Sequence, residues 1–294
     1  MNTVTDSSTD FSDWVGRALT QHQRIDPLAV AALAATLDLD GAPPVGAPLP
    51  PGWQWLFFNP LARQSTLGED GHPRRDLPGS FLPPIPLPRR MWAGSRLRYL
   101  APLHVGDDAA RTSRTLKIAP KEGRAGRMCF ITVEHTLAAG GHDCIVEEQD
   151  IVFREASQPG AAPAAASPRA ETVPVQWQER MVPGTPLLFR YSALTFNSHR
   201  IHYDLPYAQD GEGYRGLVVH GPLTATLLQQ FAQACRPGMR LAGFDFKGMS
   251  PLFANEALEL QAWPDACDPD LLHLRALNAA GALAMQATAR WETL

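Results

Sequence analysis

Apolar residues recur along the chain at two spacings, every second position and every third to fourth, and these divide it into predicted strands and helices. Residues 128–138 alternate after their first positions, and residues 144–154 alternate again, with Ile145, Glu147, Gln149, Ile151 and Phe153 on one parity. Gly140-Gly141 between them suits a tight turn, so the pair predicts an antiparallel hairpin. Glu147, Glu148 and Asp150 are expected on its solvated face. Further strands are predicted at 96–103, at 241–253 with a turn or bulge near Gly248, at 256–263, and at 271–278 and 283–291 around Ala279-Ala280-Gly281. In the last, Met285, Ala287, Ala289 and Trp291 share one side. One helix is predicted from Asp26-Pro27, an N-cap with a first-position proline, through Leu28, Val30, Ala31, Leu33, Ala34 and Leu37 to a stop at Gly41. It is almost wholly apolar, which suits a helix embedded in protein. A second helix opens at His220-Gly221-Pro222 and buries Leu223, Leu227, Leu228 and Phe231. Residues 41–90 are Pro-rich and irregular, broken by Trp53–Phe58, predicted as a strand, and by the aromatic and Pro-rich run 81–88. A segment this long is either a surface wrap or a lid that lines a substrate.

Residues 157–172 are Ala/Pro low-complexity sequence that cannot build a core. They mark a linker over 156–174, with an N-terminal part at 1–155 and a C-terminal part at 175–294. The two parts look like copies. Each has an apolar helix, then a run of the type small-Pro-Leu-aromatic-x-Gly/Asn-acid (101–107 and 250–256), then a closing hairpin. One buried helix with several antiparallel strands gives an α+β unit in which a curved sheet wraps a helix, present twice.

A length of 294 residues, 45% of them hydrophobic, is enough for a substantial core. The formal net charge of -4 gives no reason to expect a nucleic-acid partner. No apolar run approaches the ~20 residues of a membrane span. The polar start, with Asp6 and Asp10, lacks the pattern of a signal peptide. The 4 cysteines show no CxxC spacing and are expected as reduced core or surface thiols. Together these features predict a cytoplasmic protein.

The candidate chemistry lies between Leu194 and Phe231. A polar cluster with two histidines, His199 and His202, precedes the helix that opens at His220-Gly221. Free N–H groups at a helix start bind partial negative charge. A histidine close to such donors is the equipment for proton transfer beside a carbonyl. The His-x-x-His spacing alone is a weak metal signal without a third ligand, and no metal is expected. Arg200, Arg190, Arg215 and the Arg89-Arg90 pair are candidate partners for carboxylate or phosphate.

The run Phe196-Asn197-Ser198-His199-Arg200-Ile201-His202, followed by His220-Gly221, resembles the motif pair of the MaoC-like hydratase-2 family. There Gly-Asp-x-Asn-Pro-hydrophobic-His precedes a His-Gly at the start of the hot-dog helix. The resemblance implies a double hot-dog fold and hydration of trans-2-enoyl thioesters of coenzyme A, or the reverse dehydration. It implies no cofactor, since coenzyme A is part of the substrate. By this match His202 is the catalytic histidine and the Gly221 amide serves the oxyanion hole. The family aspartate is Asn197 here, which cannot titrate and is expected to hold the water. His199 is a possible second proton carrier, and Asp204 is expected to cap a turn. The variant Phe-Asn-x-His-Arg-Ile-His-Tyr-Asp resembles the branch of itaconyl-CoA and mesaconyl-C4-CoA hydratases and of hydroxyacyl-thioester dehydratase type 2. Pro78–Ile85 resembles that branch less specifically. Arg200, His220, Arg215 and Tyr203 are expected to contact substrate, with Arg200 suited to an acyl chain ending in carboxylate. The N-terminal part lacks a His-Gly start and is expected to shape the acyl and coenzyme A pocket. A homodimer or higher homo-oligomer is expected. A fatty-acid-type dehydratase and a non-catalytic acyl-CoA-binding protein are the alternatives.

Overall fold

The computed structural model describes residues 10–123, 126–156 and 169–292. In chain order the elements are β1 (Ala18–Arg24), α1 (Pro27–Thr36), β2 (Arg89–Tyr99), β3 (Asp108–Gly123), β4 (Gly126–Ala139), β5 (His142–Arg154), β6 (Trp177–Met181), α2 (Thr185–Leu194), α3 (Gly221–Cys235), β7 (Arg240–Gly248), β8 (Leu258–Pro264), β9 (Leu271–Leu277) and β10 (Leu283–Glu292). The strands form one antiparallel sheet in the order β1-β3-β4-β5-β2-β7-β10-β9-β8-β6. Its two ends mirror one another in chain order, and the halves join where Gly94–Arg98 of β2 pair with Gly243–Lys247 of β7. The hairpin at Gly140-Gly141 forms as predicted, both glycines taking positive φ, 59° and 86°. In β10, Met285, Ala287, Ala289 and Trp291 are all buried, as their shared parity requires. Cys129, Cys144, Cys235 and Cys267 are free thiols.

The repeated run organises both halves in the same way. The Leu49 N–H donates to Leu103 O at 2.7 Å, and the Val219 N–H donates to Leu252 O at 2.9 Å. These bonds align Pro50-Pro51-Gly52 of the first half with His220-Gly221-Pro222 of the second. After His220 the chain forms the 15-residue α3, packed beneath β7 to β10. After Pro50 it forms a 3-10 turn, Trp53–Leu56. The expected strand at Trp53–Phe58 is therefore absent. With Trp53, Phe57 and Phe58 each at 2% exposure or less, the segment is buried on all sides and shows no alternation.

The expectation of one wrapped helix per half also needs correcting. α1 is capped by Asp26 as predicted, the Asp26 carboxylate accepting from the Leu28 N–H at 2.9 Å. It packs on α2, its counterpart in chain order, and leaves Leu28 exposed. The central helix α3 serves both halves, buried from Leu223 to Cys235 on nearly every side. The first-half turn reaches it at Gly52, where φ is +85° and a Cβ would lie 2.7 Å from Gln229 Nε2.

A missing helix leaves the inner face of the first-half sheet partly open. Glu147 lies on that inner face and, contrary to expectation, is not solvated: it is 3% exposed. It shares the inward parity of Ile145, Ile151 and Phe153. Trp55 Nε1 donates to it at 2.9 Å and Ser95 Oγ at 2.6 Å. Burial raises its pKa. Glu148 and Asp150, on the outward parity, pair with Arg96 as a solvated face would. The Pro-rich segment covers part of the opening: Ile85 and Leu87 bury against Cys129, Ile131, Ile151 and Phe153. Most of the predicted linker lies outside the described residues. Arg169 bridges Ala282, and the Glu171 carbonyl accepts from Arg275.

Candidate active site

The turn that carries the histidines begins where α2 stops. Phe196 takes a left-handed φ of 49°, and Asn197 Oδ1 accepts from the His199 N–H at 3.0 Å, an Asx turn that starts the chain in a new direction. A 3-10 turn over Arg200–His202 follows. This turn is stitched to the first half. The Arg200 N–H donates to Asp70 O at 2.9 Å, Arg200 Nη1 to Glu69 O at 3.1 Å, and Ser198 Oγ to Gly71 O at 2.6 Å. Gly71, at φ +87°, is the residue that permits this approach, since a Cβ there would fall 1.9 Å from Ser198 O.

The result is a row of imidazoles. His202 is 7% exposed and lies 2.7 Å, through Nδ1, from the Val218 carbonyl. A carbonyl only accepts, so Nδ1 carries the proton and Nε2 keeps a lone pair. Burial lowers the His202 pKa well below its usual value, helped by His220 and His199. It is therefore uncharged at neutral pH, with the Nε2 lone pair free to accept a proton. His220 stacks on it with ring centroids 3.6 Å apart and an interplanar angle of 20°. His220 Nε2 meets Ser192 Oγ at 2.8 Å, and burial lowers its pKa to about 3. His199 meets His202 edge-on at 5.4 Å, and its Nε2 donates to Glu212 Oε1 at 3.0 Å. Burial pushes Glu212 up, but His199 and Arg89 outweigh it and hold the carboxylate ionised. His72 closes the row, 4.2 Å from the His199 ring, with Nδ1 2.9 Å from Asp70 Oδ2.

His202, His199, Asn197, Gly221, Tyr203 and Arg215 all line one groove of 2380 Å³. That is several times the space a drug-sized ligand needs. The Gly221 N–H is at the first position of α3 and has no acceptor within the helix. Asp204 caps the next turn through the Tyr207 N–H at 3.1 Å.

Two expected substrate contacts are placed elsewhere. Arg200 is bound to Asp204 through Nε (2.9 Å) and Nη2 (2.7 Å), lies over the Tyr207 ring, and does not line the groove. Its i to i+4 spacing from Asp204 allows that pair, so its charge is satisfied before any substrate arrives. His220 is 0% exposed and supports His202 from behind. Arg215 lines the groove but is paired with Glu256 and lies over Phe253. Tyr203 donates to Ser198 O at 3.1 Å. Sequence reasoning missed Asp70, His72, Ser192 and Glu212. Asp70-x-His72 is itself an Asx turn, the one local signal that could have found residues 69–72, the strap across the His202 turn. Ligand atoms of Asp70, His72 and His199 lie within 4.8 Å of one another, the grouping that best suits a metal among the described residues. His72 Nδ1 and His199 Nε2 are already hydrogen-bonded to carboxylates, and the nearby Arg90 charge disfavours a further cation.

Comparison with known proteins gives the family and the fold. The family model described as hydroxyacyl-thioester dehydratase type 2 matches residues 52–254. The mesaconyl-C(4)-CoA hydratase of Chloroflexus aurantiacus is 46% identical over 287 residues, covering 96% of this chain and 98% of that protein. Among solved structures, a MaoC-like dehydratase superposes with a TM-score of 0.68 at 15% identity, covering 95% of this chain and 98% of that one. A Mycobacterium tuberculosis protein described as having a double hotdog fold superposes with a TM-score of 0.52 at 15% identity, covering 95% and 96%. The fold is therefore an α+β double hot-dog. Among the described residues no helix is long and apolar enough to cross a membrane.

Proposed function

Because the chain belongs to the hydroxyacyl-thioester dehydratase type 2 family, we propose that it is a hydro-lyase that hydrates a short, dicarboxylic or branched enoyl-CoA to a hydroxyacyl-CoA. Hydration places hydroxyl on C3 and a proton on C2, through a transition state with enolate character at the thioester oxygen. The Gly221 N–H, backed by the α3 dipole, receives that oxygen. Asn197, which lines the same groove, holds the water. His202 Nε2 takes the water proton and returns it to C2, so one imidazole serves both steps. His199, fixed by Glu212, positions that ring. No cofactor is needed beyond the coenzyme A of the substrate.

The observation that carries this reading is the His202 Nδ1 bond to Val218 O at 2.7 Å. It commits the ring to the tautomer whose free nitrogen is a base. A polar band on the inner face of the first half supports a short polar acyl group over a fatty chain. Ser113 meets His135 Nδ1 at 2.8 Å and His135 Nε2 meets Gln149 at 3.2 Å, with Glu147 and Arg111 alongside in the groove. A long hydrocarbon would desolvate these groups without replacing their water. Free thiols are in keeping with a reducing cytoplasm, and we place a homodimer or higher homo-oligomer within the same proposal, for light scattering to test. His202→Ala should lower hydration of mesaconyl-C4-, itaconyl- or crotonyl-CoA by ~10²- to 10⁴-fold, followed by loss of enoyl absorbance. Near-normal rates would remove His202 from the mechanism.

A further inference from the structure

The mechanism leaves unused two guanidinium groups on the first-half side of the groove. Arg90 lies near the start of β2, in register with Phe153 of β5. Arg75 reaches the same place from the Pro-rich segment, its guanidinium 4.4 Å above the Phe153 ring. Both line the groove that holds His202 and Gly221. Of the other arginines there, Arg74, Arg89 and Arg215 are paired with Asp76, Glu212 and Glu256, Arg111 donates to Gln21 and the Phe58 carbonyl, and Arg154 is hydrogen-bonded to Tyr214. Arg75 donates through Nη2 to the Ile85 and Leu87 carbonyls at 3.2 and 3.3 Å, and its buried Nε has no partner. The Arg90 guanidinium makes no hydrogen bond or ion pair among the described residues. Asp70, the carboxylate that both arginines feel, already accepts from the ring and the backbone N–H of His72.

Two like charges side by side, largely stripped of water and with donors to spare, are an expensive arrangement unless an anion joins them. Burial lowers the Arg90 pKa to about 10, which still leaves it cationic at neutral pH. The pair stands at the His72 end of the imidazole row, and His72, His199 and His202 follow at ring spacings of 4.2 and 5.4 Å. We propose that Arg75 and Arg90 form an anion subsite that grips an oxyanion group of the substrate, either a carboxylate at the far end of the acyl chain or a phosphate of coenzyme A. A guanidinium fork matches both groups. This assignment replaces the one expected for Arg200, and it rests on the hydratase reading above.

The experiment compares wild type, R90Q, R75Q and R90K on three thioesters. Mesaconyl-C4-CoA carries the carboxylate and the phosphates, crotonyl-CoA only the phosphates, and crotonyl-pantetheine neither. R90Q is expected to lower kcat/KM by ~10- to 100-fold wherever its anion is present, with a smaller loss for R75Q and partial retention in R90K. A loss confined to mesaconyl-C4-CoA assigns the subsite to the acyl carboxylate. A loss shared by both CoA thioesters, with crotonyl-pantetheine spared, assigns it to phosphate. Equal losses on all three, or none, overturn the proposal. If R90Q does not fold, R90K gives the same contrast, since it keeps the charge and loses the fork. A wild type inactive on every enoyl thioester would instead defeat the hydratase reading itself, so the two failures are distinct.

Discussion

Replacing Gly71 with alanine puts a methyl group where the site turn already lies. The added carbon would sit 1.9 Å from Ser198 O and 2.9 Å from Ser198 C. Both are backbone atoms, so no side chain can rotate away. The strap must lift, and with it go the bonds from Ser198 Oγ to Gly71 O, from the Arg200 N–H to Asp70 O and from Arg200 Nη1 to Glu69 O. Three hydrogen bonds at about 1 kcal/mol each give about 3 kcal/mol. The left-handed φ of +87° adds about 1–2 kcal/mol for a residue with a Cβ. Gly79 separates the two terms: it has φ +80° and nothing within 4 Å of an added Cβ, so Gly79→Ala incurs the conformational term alone. The assay is hydrogen exchange at the Arg200 amide. Its protection should fall on the order of 100-fold further in Gly71→Ala than in Gly79→Ala, and kcat should fall with it because His72 leaves the row. Equal protection at Arg200 in the two variants would refute the claim that the strap holds the turn.

The remaining predictions concern charge. His220 and His202 have folded pKa values below the ordinary one near 6.5, so they bind protons less readily folded than unfolded. Their contribution to stability is complete above that ordinary value and is lost as pH falls below it toward about 3, the folded value of His220. The urea midpoint should therefore drop between pH 7 and pH 5, and His220→Gln should shallow the drop; a flat wild-type midpoint would contradict it. Glu147 works the other way, since its folded pKa is raised. It gives stability below the ordinary carboxyl value that is lost as pH rises through the folded one, so Glu147→Gln should raise Tm at pH 7–8, and a lower Tm would count against the buried charge. Arg200→Met should change the rates on mesaconyl-C4-CoA and crotonyl-CoA by the same factor, because Arg200 is bound to Asp204 and lies outside the groove; a selective loss on the dicarboxylic substrate would reinstate it as a specificity residue.

Strand periodicity made β4, β8 and β10 legible, because one face of each is more buried than the other; β5 and β9, buried over consecutive positions, were legible from their apolar content and the turns that bound them. β3 was not legible, for its inward positions include Arg111, Ser113 and Thr115 and its outward ones are polar too. The same polar band misplaced Glu147. Alternation tells which residues share a face, and only a buried partner tells which face is inside. Trp55, 92 positions away, is that partner. The helix starts at Asp26 and His220 were legible because their signals, the Asp26 cap and the first-turn prolines Pro27 and Pro222, are local. That the 3-10 turn at Trp53 stands in for a second long helix was not, because the proof is a pair of matching long-range hydrogen bonds, from Leu49 to Leu103 and from Val219 to Leu252.

The same omission accounts for how the site is shared between the halves. With α3 as the helix for both, the second half supplies the helix start and the His202 turn, and the first half is left with an uncovered inner face. Its long Pro-rich segment falls across that opening, and proline suits it for this, since a segment without a regular ladder can follow an irregular surface. Part of the segment, Ile85 and Leu87, is anchored by apolar burial. Another part, 69–71, is anchored to 198–200 by hydrogen bonds. Between these anchors lies Arg75, and immediately beside the second lies His72. The segment with the least regular structure thus puts His72 and Asp70 at one end of the imidazole row. A division into a chemical half and a binding half understates the contact: remove residues 68–75 and the His202 turn loses its bonds to Glu69, Asp70 and Gly71, His199 one of its two ring neighbours, and the groove the Arg75 guanidinium.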